Sequence, residues 1–265
     1  MVLKDPSPKQ MPGQGDVRLL DSREKIRKHL VISAVDASKT DLDALGREIS
    51  LFEKELGELG QPKGHTQFII DRLKTGTMQM VVARYTGEDD PAINLRKNQI
   101  LGYNLFQKSD VESGLLSDAY GMSEKVKFTE LLRRGMPREY LDHLMNPSTS
   151  EKSKAGFLVY VVSSQAGRGI NLSNLLIAES VKHMRENMGL DMAFAFGRIS
   201  HNVDVSEDLE MACTQLNAFL DEERPDGFHP DHAVRFHQRS GAKVVCGIPY
   251  STKIEHGFLA VYKLK

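Results

Sequence analysis

Two glycines, Gly167 and Gly169, stand between a stretch typical of a strand and a stretch typical of a helix. Residues 157–162 (FLVYVV) are apolar and rich in β-branched and aromatic side chains, which predicts a buried strand. From Leu172, apolar residues recur at helical spacing up to Gly189, where a left-handed C-cap is expected. Glycine permits a positive φ and has no Cβ to obstruct a ligand, and a helix N-terminus attracts anions. The segment therefore predicts a site for a phosphate or diphosphate.

Two common nucleotide-binding motifs do not fit this segment. The Walker pattern GxxxxGK[ST] requires a lysine that is missing after Gly169, and the dinucleotide pattern GxGxxG has Leu172 where its third glycine belongs. The phosphate-bearing ligand is therefore expected to belong to another class. A structural alternative stays open, because glycines also serve where two segments simply pack closely.

The segment resembles motif A of the GNAT superfamily, the acetyl-CoA-dependent N-acyltransferases, whose pattern is [QR]-x-x-G-x-[GA] at the end of the fourth strand. Four consecutive residues fit well: Gly167, Arg168, Gly169 and Ile170. Ala166 replaces the leading Gln or Arg, unless Gln165 serves from one position earlier, and Asn171 replaces the final small residue. These departures concern the strength of diphosphate binding more than its position, because backbone amides do most of the binding.

This resemblance implies a set of contacts with acetyl-CoA or another acyl-CoA, used as a co-substrate. The amides of residues 167–171 would bind the diphosphate, and Val161 or Val162 would offer backbone polar groups to the pantetheine arm or the thioester. In the GNAT fold the fifth strand, here predicted at 192–199, splays away from the fourth. In the slot between the two strands, the pantetheine arm pairs with the exposed strand edge as an additional strand would.

A second resemblance lies downstream in the expected order. Residues 232–242 (HAVRFHQRSGA) are similar to the family pattern A-x-x-x-Y-E-K-x-G-F, a short helix that runs beside the thioester. His237 stands at the tyrosine position, and that tyrosine commonly protonates the leaving thiolate of CoA. A histidine with a pKa near neutrality could donate the same proton. The alternative, a satisfied interior histidine, stays open.

Other histidines suggest different chemistry. His201 falls just past the predicted fifth strand, and a neutral imidazole there could accept a proton from an acceptor ammonium as general base. The alternative is a solvent-facing loop histidine. His229, His232 and His237 lack an acidic or cysteine partner at a familiar metal-ligand spacing, so we expect no bound metal.

Composition limits the possible partners. The 265 residues include 35 basic and 36 acidic side chains, so no global field favours nucleic acid or an anionic membrane surface. Two cysteines cannot build a disulfide framework, which suits a reducing compartment. No run approaches the roughly 20 apolar residues of a membrane span, and the N-terminus lacks the apolar stretch of a signal peptide. We therefore expect a cytoplasmic protein.

The resemblance implies an α/β domain with the GNAT fold, a mixed and mainly antiparallel sheet flanked by helices, over residues 18–265 after a flexible tail at 1–17. Two helical insertions are expected, at about 109–155 and 201–230, and the first would be a lid or an interaction surface. Strands are predicted at 30–35, 78–85, 99–108, 157–162, 192–199, 243–249 and 258–264. Helices are predicted at 42–59, 66–74, 125–134, 137–145, 172–188, 207–220 and 232–242. A solvated face is expected for four acidic residues of the first helix: Glu48, Glu53, Glu55 and Glu58.

The resemblance implies an enzyme that moves an acetyl or other acyl group from acyl-CoA to a primary amine by direct attack. The acceptor would be a small molecule or a peptide; no motif specifies it, and the oligomeric state is equally open. Two alternatives remain: a non-catalytic acyl-CoA-binding module, and an acyltransferase or decarboxylase that acts on the thioester of an acyl carrier protein.

Overall fold

The computed structural model describes residues 22–56, 65–136, 147–150, 152–250 and 255–265. The predicted tail at 1–17 and the predicted helix at 137–145 lie outside these ranges. Within them, seven strands form one sheet. The strands are β1 (Leu30–Ala34), β2 (Gln79–Tyr85), β3 (Ile100–Ser109), β4 (Ala155–Ser163), β5 (Met192–Arg198), β6 (Lys243–Ile248) and β7 (Gly257–Lys263).

The sheet has the strand order β1-β2-β3-β4-β5-β7-β6. Neighbouring strands run antiparallel except β4 and β5, which are parallel. A parallel pair needs a crossover connection, and a segment with two helices supplies it between these strands. The prediction of a mixed and mainly antiparallel sheet is confirmed.

Helices cover both faces of the sheet. Residues 22–28 form α1, a short helix that the sequence analysis does not predict. The others are α2 (Leu42–Glu55), α3 (His65–Lys74), α4 (Ser113–Gly121), α5 (Phe128–Arg133), α6 (Gln165–Arg168), α7 (Leu172–Glu186), α8 (Leu209–Leu220) and α9 (His232–Arg239). A short 3₁₀ turn also spans Pro91–Ile93. In the described residues, no helix combines the length and apolar character needed to cross a membrane.

Helix α7 lies in the crossover between β4 and β5, and most of its apolar stripe is buried or partly buried as the spacing predicts, whereas Leu175 is 42% exposed. Five of its residues are buried: Leu172, Leu176, Ile177, Ser180 and Met184. The four apolar residues among them pack in one cluster with residues of β2, β3 and β4. Gly189 has φ 65°, the left-handed C-cap conformation expected after this helix. Helices α2 and α3 cover the opposite face of the same strands.

The described part of the first insertion belongs to the core. Apolar side chains of α4 and α5 pack with β5, β6 and β7 in one cluster. The N–H of Val126 donates to the carbonyl of Val245 at 3.0 Å, and Lys243 donates to the carbonyl of Tyr120 at 2.8 Å. The first of these bonds engages a backbone carbonyl on the outer edge of β6, which would otherwise be unpaired. This part of the insertion is therefore built into the fold.

A substitution of Gly197 on β5 tests how tightly the side chains around this strand pack. An ideal Cβ there would lie 2.0 Å from the Cζ atom of Phe258, whose ring is fully buried. We expect Gly197→Ala to lower the free energy of unfolding by about 1–3 kcal/mol, because the buried ring must shift. Gly114→Ala is the control, since no atom lies within 4 Å of its Cβ position. Denaturant unfolding of both variants checks the prediction, and equal stabilities would contradict it.

Candidate functional site

The parallel pair of β4 and β5 opens after a short stretch. Three residue pairs join the strands, the last being Phe157 with Phe194. Beyond it, β4 continues to Ser163 beside β3, and β5 continues to Arg198 beside β7. The edges that face each other therefore carry backbone N–H and C=O groups without a strand partner. Val161 and Val162 lie on this open part of β4.

A β-bulge changes the direction of β4 within the opening. Leu105 and Phe106, consecutive on β3, pair with Tyr160 and Leu158, so Val159 is the extra residue of β4. Val159 and Tyr160 therefore pack towards the same face, the one that α2 and α3 cover. Aromatic side chains line the adjoining region: Phe157 stacks on Phe194 at 5.0 Å between ring centroids, and Phe196 meets both rings edge-on.

The glycine segment after β4 is a helical turn. Ser164 caps it, and its Oγ accepts the N–H of Gly167 at 3.2 Å. Neither glycine has a positive φ; that conformation falls on Asn171, with φ 59°. The expectation of a glycine with positive φ is therefore wrong. Its physical reason is that Ser164 nucleates a right-handed turn, which leaves the left-handed step to the asparagine before α7.

Several amides of this turn already have acceptors. The N–H of Gly167 bonds to Ser164, and those of Gly169 and Ile170 point to the carbonyl of Gly167. Three of the five amides expected to bind a diphosphate are thus engaged within the loop. The glycines themselves allow close approach. A Cβ on Gly167 would lie 2.6 Å from a Leu172 methyl group, and one on Gly169 would lie 2.5 Å from Nε of Arg23.

A cleft of about 570 Å³ lies beside the turn. One wall is the turn itself, from Ser164 through Gln165 and Ala166 to Gly169. The other walls come from α1 and from residues 93–101. The cleft is therefore accessible to a ligand at the C-terminal end of β4.

His201 is held by a buried carboxylate at the end of β5. Its Nδ1 lies 2.7 Å from Oδ2 of Asp231, whose side chain has no exposed surface. Because an ionised carboxylate can only accept, Nδ1 carries the proton and Nε2 of the neutral ring is left as a proton acceptor. Oδ2 also accepts from Ser200, through its N–H at 2.9 Å and its hydroxyl at 2.7 Å. The imidazole is 56% exposed, so the free nitrogen is accessible.

The carboxylate of Asp231 stays ionised despite its burial. Burial alone would raise its pKa, but hydrogen bonds from His201, Ser200 and the N–H of Val234 outweigh it and hold the pKa at about 2. Its Oδ1 caps α9 by accepting the N–H groups of Ala233 and Val234. One residue thus joins the end of β5, the first turn of α9 and His201.

The exposed edge of His201 faces a cleft of about 560 Å³. The end of β5, the start of α9 and the approach to β7 form its walls. Six polar residues contribute to the lining: Arg198, Ser200, His201, Asn202, Glu255 and His256. Arg198 and Glu255 form an ion pair there. The cleft therefore combines an oriented imidazole with charged groups that could position a polar acceptor.

His237 occupies a different environment. It is 9% exposed, and its Nδ1 shares a hydrogen bond of 2.7 Å with the hydroxyl of Tyr262 on β7. Rings of Phe236 and Phe258 meet it edge-on. Burial lowers the pKa of His237 to about 4 and raises that of Tyr262, so both groups are neutral at neutral pH. The expectation of a pKa near neutrality for His237 is therefore wrong.

Glu53 also departs from expectation. Its side chain is only 15% exposed and accepts hydrogen bonds from Tyr103, from Thr66 at 3.3 Å and from His65 at 3.1 Å. Burial raises its pKa, but these donors outweigh it and hold the pKa below the ordinary value. The prediction of a solvated face is wrong for this residue, because α2 packs it over Tyr103 of β3.

No protein-family model and no curated protein matches the sequence. Solved structures do match. The loading GNATL domain of CurA from Lyngbya majuscula aligns with a TM-score of 0.54 and 15% identity, covering 89% of this chain and 98% of that one. The GphF GNAT-like decarboxylase in complex with isobutyryl-CoA aligns with a TM-score of 0.50 and 14% identity, over 89% of this chain and all of the other. GNAT-family acetyltransferases also match, with TM-scores below 0.5.

This chain has the GNAT fold. Malonyl-CoA decarboxylase from Rhodopseudomonas palustris aligns over 94% of this chain but only 60% of its own length, with a TM-score of 0.55 and 11% identity. The identities are low, so the similarity concerns the fold alone. The parallel β4–β5 pair and the crossover helix α7 stand where the resemblance predicts them.

Two of the predicted site residues, Val161 and Val162, lie on the open edge of β4, and the predicted turn follows it. His201 and His237 lie at opposite ends of α9, which begins beside Asp231. Asp231 and Tyr262 were missed. The aspartate could have been found from its N-cap position before the helix at 232–242, whereas no sequence pattern pairs Tyr262 with His237. Among the described residues, no group of three His, Cys, Asp or Glu is arranged to hold a metal ion.

The low pKa of Asp231 predicts that the folded protein loses stability at low pH. Because its folded pKa of about 2 lies below the ordinary aspartate value of 3.8, its contribution to stability is present above pH 4 and is lost as the pH falls towards 2, by about 2 kcal/mol. We expect Asp231→Asn to remove this part of the pH dependence. Asp208→Asn is the control, since Asp208 caps the exposed start of α8 without a histidine partner in the described structure. Thermal unfolding between pH 2 and 6 tests it; an unchanged acid slope would contradict it.

Proposed function

We propose that this protein is an acyl-CoA-dependent acyltransferase that acylates a primary amine. The observation that carries the proposal is the opening between β4 and β5, whose facing edges offer unpartnered backbone groups. An extended amide-containing chain such as pantetheine can pair with such an edge as an added strand does. One structural relative, the GphF GNAT-like decarboxylase, is described in complex with isobutyryl-CoA, which supports an acyl-CoA ligand here.

In the proposed reaction the amine attacks the thioester carbonyl carbon. A C–N bond forms, the C–S bond breaks, and its electron pair leaves with the sulfur. One proton of the acceptor ammonium is removed before attack, and a second passes to the thiolate as the amide forms. The protein supplies placement of the two reactants and the groups that move these protons.

His201 is proposed as the general base. Its Nδ1 is tied to Asp231, which fixes the tautomer and leaves Nε2 free in the cleft at the end of β5. Asp231 acts as a positioning residue, because it does not reach the cleft except through the imidazole. The carboxylate also stabilises the imidazolium that forms when the base takes a proton.

His237 is proposed to assist the leaving thiolate as a neutral hydrogen-bond donor. With a pKa of about 4 it carries no extra proton at neutral pH, so it cannot act as an imidazolium acid. This role requires the hydroxyl of Tyr262 to donate to Nδ1, so that Nε2 carries the ring proton and is the donor. A neutral donor in an apolar environment can still stabilise developing charge on sulfur or on the thioester oxygen.

Decarboxylation of an acyl thioester is the second candidate. Two similar structures are described as decarboxylases, one of them acting on malonyl-CoA. Loss of CO₂ from a malonyl thioester leaves an enolate, which the same neutral donor could stabilise at the thioester oxygen. The third similar structure is a loading domain, so a carrier-bound thioester is a further possible donor. Products separate the candidates, because amine acylation releases a free thiol and decarboxylation does not.

The first test measures thiol release from acetyl-CoA with pooled primary amines, beside CO₂ release from malonyl-CoA. We expect amine-dependent thiol release, and we expect His201→Ala to lower kcat/KM by about 10²–10⁴-fold, the usual contribution of a general base. His256→Ala is the matched control, since His256 lines the same cleft but accepts the N–H of Tyr250. Equal losses in both variants would remove His201 from the role of base.

The same assay should include decarboxylation and binding controls. CO₂ release without amine-dependent thiol release would assign the second candidate. Acetyl-CoA binding with neither product would instead indicate a non-catalytic acyl-CoA-binding module.

His237→Phe tests the second histidine. The substitution keeps an aromatic ring in the buried position but removes both nitrogens, so we expect turnover to fall by roughly tenfold, the value of one hydrogen bond to a charged group. Tyr262→Phe keeps the imidazole and removes its partner, and should have a smaller effect. Circular dichroism checks that both variants fold. Full activity of His237→Phe would leave His237 with a packing role alone.

A further inference from the structure

An arginine from α1 lies on the turn that follows β4. The position of a Cβ on Gly169 would be 2.5 Å from Nε of Arg23 and 3.2 Å from its Cδ and Cζ. The arginine side chain therefore passes directly over the glycine backbone, an approach that a larger residue would prevent. This contact gives Gly169 a function that differs from that of Gly167, which accommodates Leu172.

Arg23 also lines the cleft of about 570 Å³ beside the turn. Ser164, Gln165 and Gly169 form the adjacent wall, and Asn94 and Gln99 add polar groups across the cleft. The arginine is exposed, so its guanidinium is in contact with solvent within this space. A cation, a set of polar side chains and an accessible volume thus meet at one place.

The charge of Arg23 is not neutralised by its described surroundings. Lys25, two residues along α1, pairs with Asp90 at 2.5 Å. Arg23 has no ion pair in the part of the chain that the structure describes. It lies beside the start of α7, where the helix dipole is positive. An exposed guanidinium that lines an accessible cleft and has no described counter-ion favours an anionic ligand.

We infer that Arg23 binds the phosphates of the nucleotide end of acyl-CoA. The inference rests on the proposed function, since it assumes that acyl-CoA is the ligand. It adds a cationic contact, supplied by a helix that precedes β1, to a turn in which three amides are already engaged. A planar guanidinium suits this task because it can bind two phosphate oxygens at once.

Arg23→Met tests the inference, because methionine keeps much of the apolar stem and removes the charge. We expect Kd for acetyl-CoA, measured by calorimetry, to rise roughly tenfold to a hundredfold, the effect of a lost hydrogen bond between charged groups. Kd for S-acetyl-pantetheine, which lacks phosphates, should not change. Arg27→Met, on the same helix and equally exposed, is the matched control and should bind like wild type.

A third ligand separates the possible sources of the phosphate. S-acetyl-4′-phosphopantetheine carries one phosphate, as the arm of an acyl carrier does, and CoA carries a diphosphate and a further phosphate. If Arg23→Met loses affinity for acetyl-CoA alone, Arg23 is assigned to the nucleotide end. If it loses affinity for acetyl-CoA and for S-acetyl-4′-phosphopantetheine, Arg23 contacts the phosphate nearest pantetheine, and the assignment to the nucleotide end is overturned. Unchanged or tighter CoA binding by Arg23→Met overturns the inference. Failure of wild type to bind any of the three ligands would instead count against the proposed function.

Discussion

The early end of the pairing between β4 and β5 is the constraint on which the rest of the site depends. After Phe157 and Phe194 the two strands follow different partners, β3 on one side and β7 on the other. Each strand keeps half of its backbone groups bonded, so the sheet remains intact while an open edge is created inside it. Such an edge would be a liability at the surface of a sheet. Here helices on both faces and the aromatic cluster around Phe157 limit access to it.

The two histidines near this opening are specialised by their surroundings. His201 is exposed and bonded to a fully buried, ionised carboxylate, whereas His237 is buried and bonded to a neutral phenol. The carboxylate fixes the tautomer of the ring that it orients, whereas burial lowers the pKa of His237. The same type of side chain is therefore exposed and bonded to a charged partner at one end of α9, and buried and bonded to a neutral partner at the other. Asp231 connects these environments, because the residue that orients His201 also begins the helix that carries His237.

The sequence was informative where a local pattern determines the structure. The apolar run of β4 and the buried part of the stripe of α7 both depend on neighbouring residues, and the structure confirms them within a few positions. The burial of Glu53 could not be predicted in this way, because its donors Tyr103 and His65 come from other elements. The low pKa of His237 depends likewise on Phe258 and Tyr262, which lie more than 20 residues away in sequence. Local patterns describe elements, and tertiary contacts set the chemistry of the side chains.

The glycine turn shows that a residue type does not by itself reveal the function of that residue. Glycine after a strand and before a helix suggested a backbone with positive φ and free amides. In the structure the left-handed step falls on Asn171, and the glycines serve the close approach of Leu172 and Arg23. Both explanations require glycine at these positions, because each requires the absence of a Cβ. The two explanations differ in the groups that would attract an anion. In the first these are the backbone amides alone; in the second the guanidinium of Arg23 lies against the backbone of the turn and contributes as well. The position of Arg23 over Gly169 favours the second, because a glycine that served only the amides would not need to accommodate a side chain from α1.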